Sequence, residues 1–313
     1  MNYMHRNTLA TPASSLMKKI IRDKYLLILV APVVVYYFIF QYIPMYGALI
    51  AFKDFSPGKG ILESPWVGFK WFNEFFESVY FFRLIKNTLL LSIYSLIFGF
   101  PVPIVFALLL NEVKNEKFKR TVQTISYLPH FISLVVVVGI MVNFLSPTDG
   151  IVNIILKRMD IEPVDFMGDA KWFRTIYIGS GIWQHFGWGS IIYLAALSSI
   201  DLQLYEASRI DGANRWQQML NVTLPGIAPT VVMMLILNLG GLMNVGFEKI
   251  ILMYNPSTYE VADVISTYVY RRGLLGAQYS FGAAVGLFNA VINFLFLYTF
   301  NKISDKITGI GLW

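Results

Sequence analysis

Six continuously apolar blocks alternate with short polar connections along the chain, at residues 26–50, 88–110, 122–145, 175–197, 224–245 and 281–300. A hydrocarbon core takes about 20 residues of helix to cross, and each block reaches that length. None contains Asp, Glu, Lys or Arg. Pro32, Pro44, Pro101, Pro103, Pro129 and Pro229 fall inside them. They would break a soluble helix, but a membrane helix tolerates proline where its neighbours satisfy the freed backbone groups. A β-barrel would show alternation over segments of about ten residues, and these blocks do not alternate. The pattern predicts an all-α polytopic membrane protein with six transmembrane helices.

The connections set the orientation. Arg6, Lys18, Lys19, Arg22 and Lys24 precede the first block, and Lys114, Lys117, Lys119 and Arg120 crowd between the second and third. Basic residues next to spans favour the cytoplasmic side, so both chain ends are expected inside. Residues 14–24 suit a basic amphipathic helix on the inner surface. The apolar run after them continues past signal-peptide length, and Val30-Ala31-Pro32 makes a poor cleavage site, so a retained first span is expected. Outside, WVGFKWFNEFFESVYFFRLIKN spaces aromatics between charges. It reads as an interfacial helix on the outer leaflet, with packing against the chain's own spans as the alternative. The outer loops 146–174 and 246–280 read as polar enough to be exposed.

Composition agrees. Of 313 residues, 56% are hydrophobic and only 14% charged, and mean hydropathy is +0.57. Soluble domains carry about 25% charged residues, so a solvated two-domain enzyme and a disordered chain are both excluded. There is no cysteine, which removes disulfides, thiolate metal sites and cysteine nucleophiles. The net charge of +6 lies in short runs between apolar blocks, a sign of topology and not of nucleic-acid binding.

One inside connection is more than a linker. It reads SIDLQLYEASRIDGANRWQQMLNVTLP over residues 199–225. Asp201 is a candidate N-cap. Leu204, Ala207 and Ser208 share a helical face, Gly212 permits a sharp turn at positive φ, and a second short helix over 215–221 precedes Pro225. The expected shape is a helix–turn–helix along the cytoplasmic surface, a knob for a partner's groove.

This segment resembles the EAA loop of ABC importer permeases. Tyr205, Glu206, Ala207, Asp211, Gly212, Leu224 and Pro225 fall at the family's spacing, and Ser208 replaces its second alanine. The likeness runs from about residue 86 to the C-terminus. Together with YIPMYGALIAFKDFSPGKGI, DGANRWQ and the terminal GIGLW, it points to the MalF-like carbohydrate permeases, in the branch handling complex oligosaccharides. The resemblance implies a MetI-like type I importer core over 87–313, with five spans and the coupling loop at 198–225. Residues 25–86 would form the first span and outer interfacial segment, and 1–24 the cytoplasmic amphipathic segment. It further implies a plasma-membrane subunit importing oligosaccharides, polysaccharide-derived or acidic ones included. Implied partners are a second homologous permease, two cytoplasmic ATPase subunits, an extracellular substrate-binding lipoprotein and membrane lipid. The chain has no G-x-x-x-x-G-K-[ST]; no cofactor of its own is expected, and ATP and Mg would be held by the ATPase partners.

A sugar path needs hydrogen-bonding groups and aromatic faces. Gln184, His185 and Trp188 in the fourth block and Asn238 and Asn244 in the fifth are the candidates, with His130, Asn143, Asn289 and Asn293 as further interior polar groups. Counting from Tyr-Glu-Ala, the sugar contacts of maltose-type permeases align with His185, Trp188 and Asn238. Others align with the apolar Gly241, Leu242 and Val245, so the detailed site must differ. Each asparagine has an alternative use in helix–helix hydrogen bonding. An ion-coupled secondary transporter would show ionisable residues inside its spans. An intramembrane enzyme would need convergent nucleophiles or ligands, and three dispersed histidines do not provide them. A non-sugar solute stays open as an alternative cargo.

Overall fold

The computed structural model describes residues 22–312. Most of the predicted amphipathic segment at 14–24, and Trp313, lie outside the described residues. In chain order come α1 (Lys24–Phe52), a short outer helix α2 (Lys70–Phe76) and α3 (Phe81–Glu112). α4 (Glu116–Phe131), α5 (Leu134–Phe144), α6 (Ile151–Arg158) and α7 (Ala170–Ser198) follow. Then come α8 (Leu202–Ile210), α9 (Arg215–Gly240), α10 (Phe247–Met253), α11 (Tyr259–Ala262), α12 (Ile265–Val269) and α13 (Tyr279–Thr308). Among the described residues there is no strand, only an isolated antiparallel bridge between Lys53 and Trp66.

Among the described residues, four helices are long and apolar enough to cross a membrane: α1, α3, α9 and α13. The block predicted as one span at 122–145 is broken. α4 and α5 meet at 97°, because Pro129 sits in a tight turn at Leu128–Phe131 and Ser133 starts a new helix, its hydroxyl accepting from Val136 N at 3.4 Å. Counted as one, the bent pair makes five. α7 has 29 residues, about 44 Å of helix, but its Gly, Ser, Gln and His leave it less apolar than those four. The expected count of six is therefore not reached on length and hydropathy.

Proline placement follows a rule here. Pro44, Pro101 and Pro225 each stand two residues beyond a wide π-helical turn, at Phe38–Tyr42, Ser95–Gly99 and Met219–Thr223. A proline ring collides with the carbonyl four residues earlier. Each of those carbonyls, on Phe40, Ile97 and Asn221, belongs to the widened turn, which makes room without ending the helix. The short helix expected at 215–221 therefore runs unbroken into the fifth span.

α7 is the hub. It packs against the second half of α3, against α4 and its terminal turn, and against α9. Gly187 permits the α4 contact, since a β-carbon there would run into the Ser126 carbonyl. α1 has no buried residue over 24–45 and packs on α13 through its C-terminal end, 46–52.

The outer segment departs from expectation. Residues 246–275 are among the most enclosed in the molecule, with Ile250, Ala262, Asp263, Val264 and Thr267 at 0% exposure. Asp263 accepts from both Arg271 nitrogens (2.9 and 2.7 Å), from Arg83 (3.3 Å) and from the Thr267 hydroxyl (2.7 Å). Asn87 on α3 donates to the carbonyls of Glu260 and Asp263 and accepts from Arg174 at the start of α7. Hydropathy read this stretch as a loop because its polar groups satisfy one another. The aromatic stretch at 66–87 likewise takes the alternative reading: Phe75, 1% exposed, meets Phe81, Phe281 and Phe288 edge-on, so α2 packs on α13.

Removing one partner of a buried ion pair costs about 3–5 kcal/mol. Asp263→Ala is expected to lower the thermal midpoint of the detergent-solubilised protein sharply. Leu202→Ala, exposed on α8, should leave it within about 0.5 kcal/mol of wild type.

Candidate functional site

A cavity of about 1190 Å³ opens among α3, α7, the end of α9 and α10. Gln184, His185, Trp188, Asn238 and Asn244 all line it. Helical spacing puts Gln184, His185 and Trp188 on one stripe of α7, and Asn238 comes from the last turn of α9.

Their surroundings differ. Gln184 is 4% exposed; its amide donates to the Ile132 carbonyl at the α4–α5 break (3.0 Å), while its Oε1 has no partner. A buried acceptor without a donor is rare enough to need a reason, and an incoming hydroxyl supplies one. His185 Nδ1 is 3.1 Å from His130 Nδ1, so one ring donates and the other accepts. His130 stacks flat on Trp188, centroids 4.6 Å apart and planes 1° from parallel, and Phe131 meets it edge-on. One indole face is thus already covered, although Trp188 remains 44% exposed. Asn238 donates to Met234 O in its own helix (2.7 Å). Asn244 Oδ1 accepts from Asn289 and Asn293 on α13 (3.1 and 3.0 Å), and Asn293 in turn accepts from Met243 N. That cluster ties the chain reversal after α9 to α13. Gly241 and Leu242 also line the cavity.

Sequence reasoning missed Lys249. It sits on α10, 7% exposed, in the cavity wall. Its ammonium donates to the Tyr177 carbonyl on α7 (2.7 Å) and lies 4.8 Å from the Tyr177 ring centroid. Burial holds the ammonium down at about 8, so most of it remains charged at neutral pH. The available signal was a lone lysine in GFEKIILM, where it interrupts an apolar run.

At the other end of α9 lies the loop. Asp201 caps α8, accepting from Gln203 N at 2.9 Å. Gly212 has φ +81°, where a β-branched residue costs about 1–3 kcal/mol. Asn214 and Gln217 form a reciprocal capping box at the start of α9. Tyr205 bonds Thr223 across the fold (2.9 Å), and Ser208 bonds back to Tyr205 O. Glu206, Ala207, Arg209 and Asp211 are exposed, with Ile210 at 87% and Trp216 at 65%. Leu224 is half-buried against the inner core cluster with Tyr193, Leu197 and Ile227, and Pro225 is exposed. The loop is held firmly from within and presents an apolar face outward.

Membrane-crossing helices, a largely apolar cavity between them carrying a few polar side chains, and an exposed, internally bonded loop define a membrane transport subunit. Residues 99–305 match the family described as binding-protein-dependent transport system inner membrane component, and the chain belongs to it. It is similar to Protein LplB of Bacillus subtilis (strain 168), 44% identical over 93% of this chain and 92% of that protein. It is also similar to the polygalacturonan/rhamnogalacturonan transport system permease protein YteP of the same strain, 43% identical over 95% and 93%. Among solved structures, a chain from a bacterial ABC transporter involved in import of the acidic polysaccharide alginate superposes with a TM-score of 0.87. It is 48% identical, over 94% of this chain and 99% of that one. A chain from a bacterial alginate ABC transporter in complex with alginate pentasaccharide-bound periplasmic protein gives 0.87 at 47% identity, over 95% and 99%.

Trp188→Ala opens the His130 stack and removes an aromatic face from the cavity. Uptake by the assembled transporter is expected to fall about tenfold, since base–aromatic and similar stacking contacts are worth about 1–3 kcal/mol. The variant should still co-purify with its partners, and unchanged uptake would remove Trp188 from the path.

Proposed function

We propose that this chain is one of two permease subunits of an ATP-driven importer of oligosaccharides, of the kind released from polysaccharides. The carrying observation is that a single helix joins the two ends of the machine. α9 begins in the exposed loop and reaches the cavity at Asn238 without a break, about 35 Å along the axis. A subunit without a nucleotide site can be driven only by a partner that binds its conformations with different affinity. Here the driving contact is α8 and the turn at Gly212, with Glu206 and Asp211 as its charged groups and Ala207, Ser208 and Tyr205 fixing its shape. The Tyr205–Thr223 bond and Leu224 make the loop and α9 move as one body. The π turn before Pro225 carries the helix through that junction without ending it.

The partners in this reading are a second, homologous permease, two cytoplasmic ATPase subunits that hold ATP and Mg, and an extracellular substrate-binding protein. YteP supports it, since its description speaks of a transport system permease, and one similar solved structure is a complex with an alginate pentasaccharide-bound periplasmic protein. Both chain ends face the cytoplasm of a plasma-membrane protein. Gln184, His185, Trp188, Asn238 and Asn244 form this subunit's share of the path. The unpaired Gln184 acceptor and the asparagine amides suit sugar hydroxyls.

Gly212→Val and Glu206→Lys are each expected to abolish uptake while the protein still inserts. Pulldown should show a weakened ATPase association, or a bound ATPase that no longer responds to substrate. Normal uptake in both variants would remove the coupling assignment.

A further inference from the structure

Lys249 is not accounted for by the coupling loop or by a neutral sugar path. An ammonium carries three donors, yet the single hydrogen-bond acceptor it meets among the described residues is the Tyr177 carbonyl. No carboxylate pairs with it there: the ion pairs involve Arg22, Arg83, Arg215, Arg271 and Arg272. Glu248, the preceding residue, also lines the cavity but is exposed and forms no ion pair among the described residues. A buried cation is costly unless something compensates it, and a carbonyl with an aromatic face does so only in part. The position is also cleared for it. Gly181 on α7 faces the ammonium, and a β-carbon there would stand 3.3 Å from Nζ. Any longer side chain at 181 would compete with the lysine for the wall.

We infer that Lys249 is the specificity-determining residue for the carboxylate of an acidic sugar unit in the cavity formed by α7, α9 and α10. This rests on the oligosaccharide reading above and narrows it to uronate-containing chains. The carboxylate supplies the counter-charge the wall lacks, by a charge-assisted hydrogen bond in a partly desolvated site. Gln184 and Asn238, on the same cavity wall, serve the ring hydroxyls. Asp263 cannot be the counter-ion, because its oxygens are already taken by Arg83, Arg271 and Thr267. A cavity that discriminates by one buried cation differs from a broadly positive funnel. It tolerates Glu248 at an exposed position, and it reads a carboxylate at one sugar unit, not the charge of the whole chain.

The test uses the assembled transporter in proteoliposomes with its binding protein, reading ATP hydrolysis against substrate concentration. The probes are trimers of galacturonate, mannuronate and guluronate, each beside its carboxyl-reduced neutral counterpart. Lys249→Met is expected to raise the half-saturating concentration of the preferred uronate trimer about tenfold or more, with the neutral trimer changed less than twofold. Lys249→Arg should keep the preference for the acid. Should the methionine variant fail to assemble, Lys249→Gln, which keeps a donor for Tyr177 O but no charge, is read the same way. An equal loss for acidic and neutral trimers, or none, overturns the inference. Wild-type stimulation by neutral trimers alone also overturns it, while leaving the oligosaccharide reading standing. Stimulation by no trimer of either kind would overturn that reading as well.

Discussion

One half of the molecule depends on one fully buried carboxylate. Asp263 gathers Arg271, Arg83 and Thr267, and Asn87 closes the cluster by binding the backbone of the same turn and the side chain of Arg174. Five stretches of chain meet there: α3, the start of α7, α11, α12 and the segment that follows it. Such a cluster gives little net stability over an apolar core of the same shape, but it is intolerant of losing a member. Its effect is positional. It folds residues 246–275 inward, which puts α10 against α5 and α7 and Lys249 into the cavity wall.

The other half works by continuity instead. π turns let prolines sit inside long helices without ending them, so α9 carries a rigid loop at one end and a cavity-lining asparagine at the other. The α4–α5 break has the opposite use. By ending a helix at Pro129, it lets His130 and the Ile132 carbonyl reach the stripe of α7 that holds Gln184, His185 and Trp188. Gly187 makes that approach possible. The cavity therefore lies where a broken helix, a continuous helix and an inward-folded segment meet.

Much of this was legible in the residues. Apolar blocks without charges fix the all-α membrane class, because burying charge in lipid is costly. Gly212 and Asp201 announced a positive-φ turn and an N-cap, and the loop has both. Gln184, His185 and Trp188 were candidates as the hydrogen-bonding and aromatic groups of the fourth block, and they share a cavity with Asn238 and Asn244. What stayed hidden depends on contacts between distant segments. A hydropathy window cannot tell that Asp263 is neutralised by Arg83, 180 positions away, so it reads a buried turn as a loop. Nor can it separate a straight span from a kinked one when Val and Leu flank Pro129. Asn244, read as a path residue, also binds Asn289 and Asn293, the helix–helix use that the sequence left open beside it, though not its partners. Lys249 was invisible for the same reason as Asp263: the environment that makes it unusual comes from α7.

The absence of cysteine makes one measurement unusually clean. A single cysteine at Asn238, in the assembled transporter, can be labelled with a membrane-impermeant charged thiol reagent during turnover. If the cavity is the translocation path, the site is labelled from water, and substrate with its binding protein slows the labelling several-fold. ATP-driven cycling should change the rate again as α9 moves with the loop. A cysteine that is never labelled, or one whose rate ignores both substrate and ATP, would contradict a path through this cavity coupled to the loop by α9.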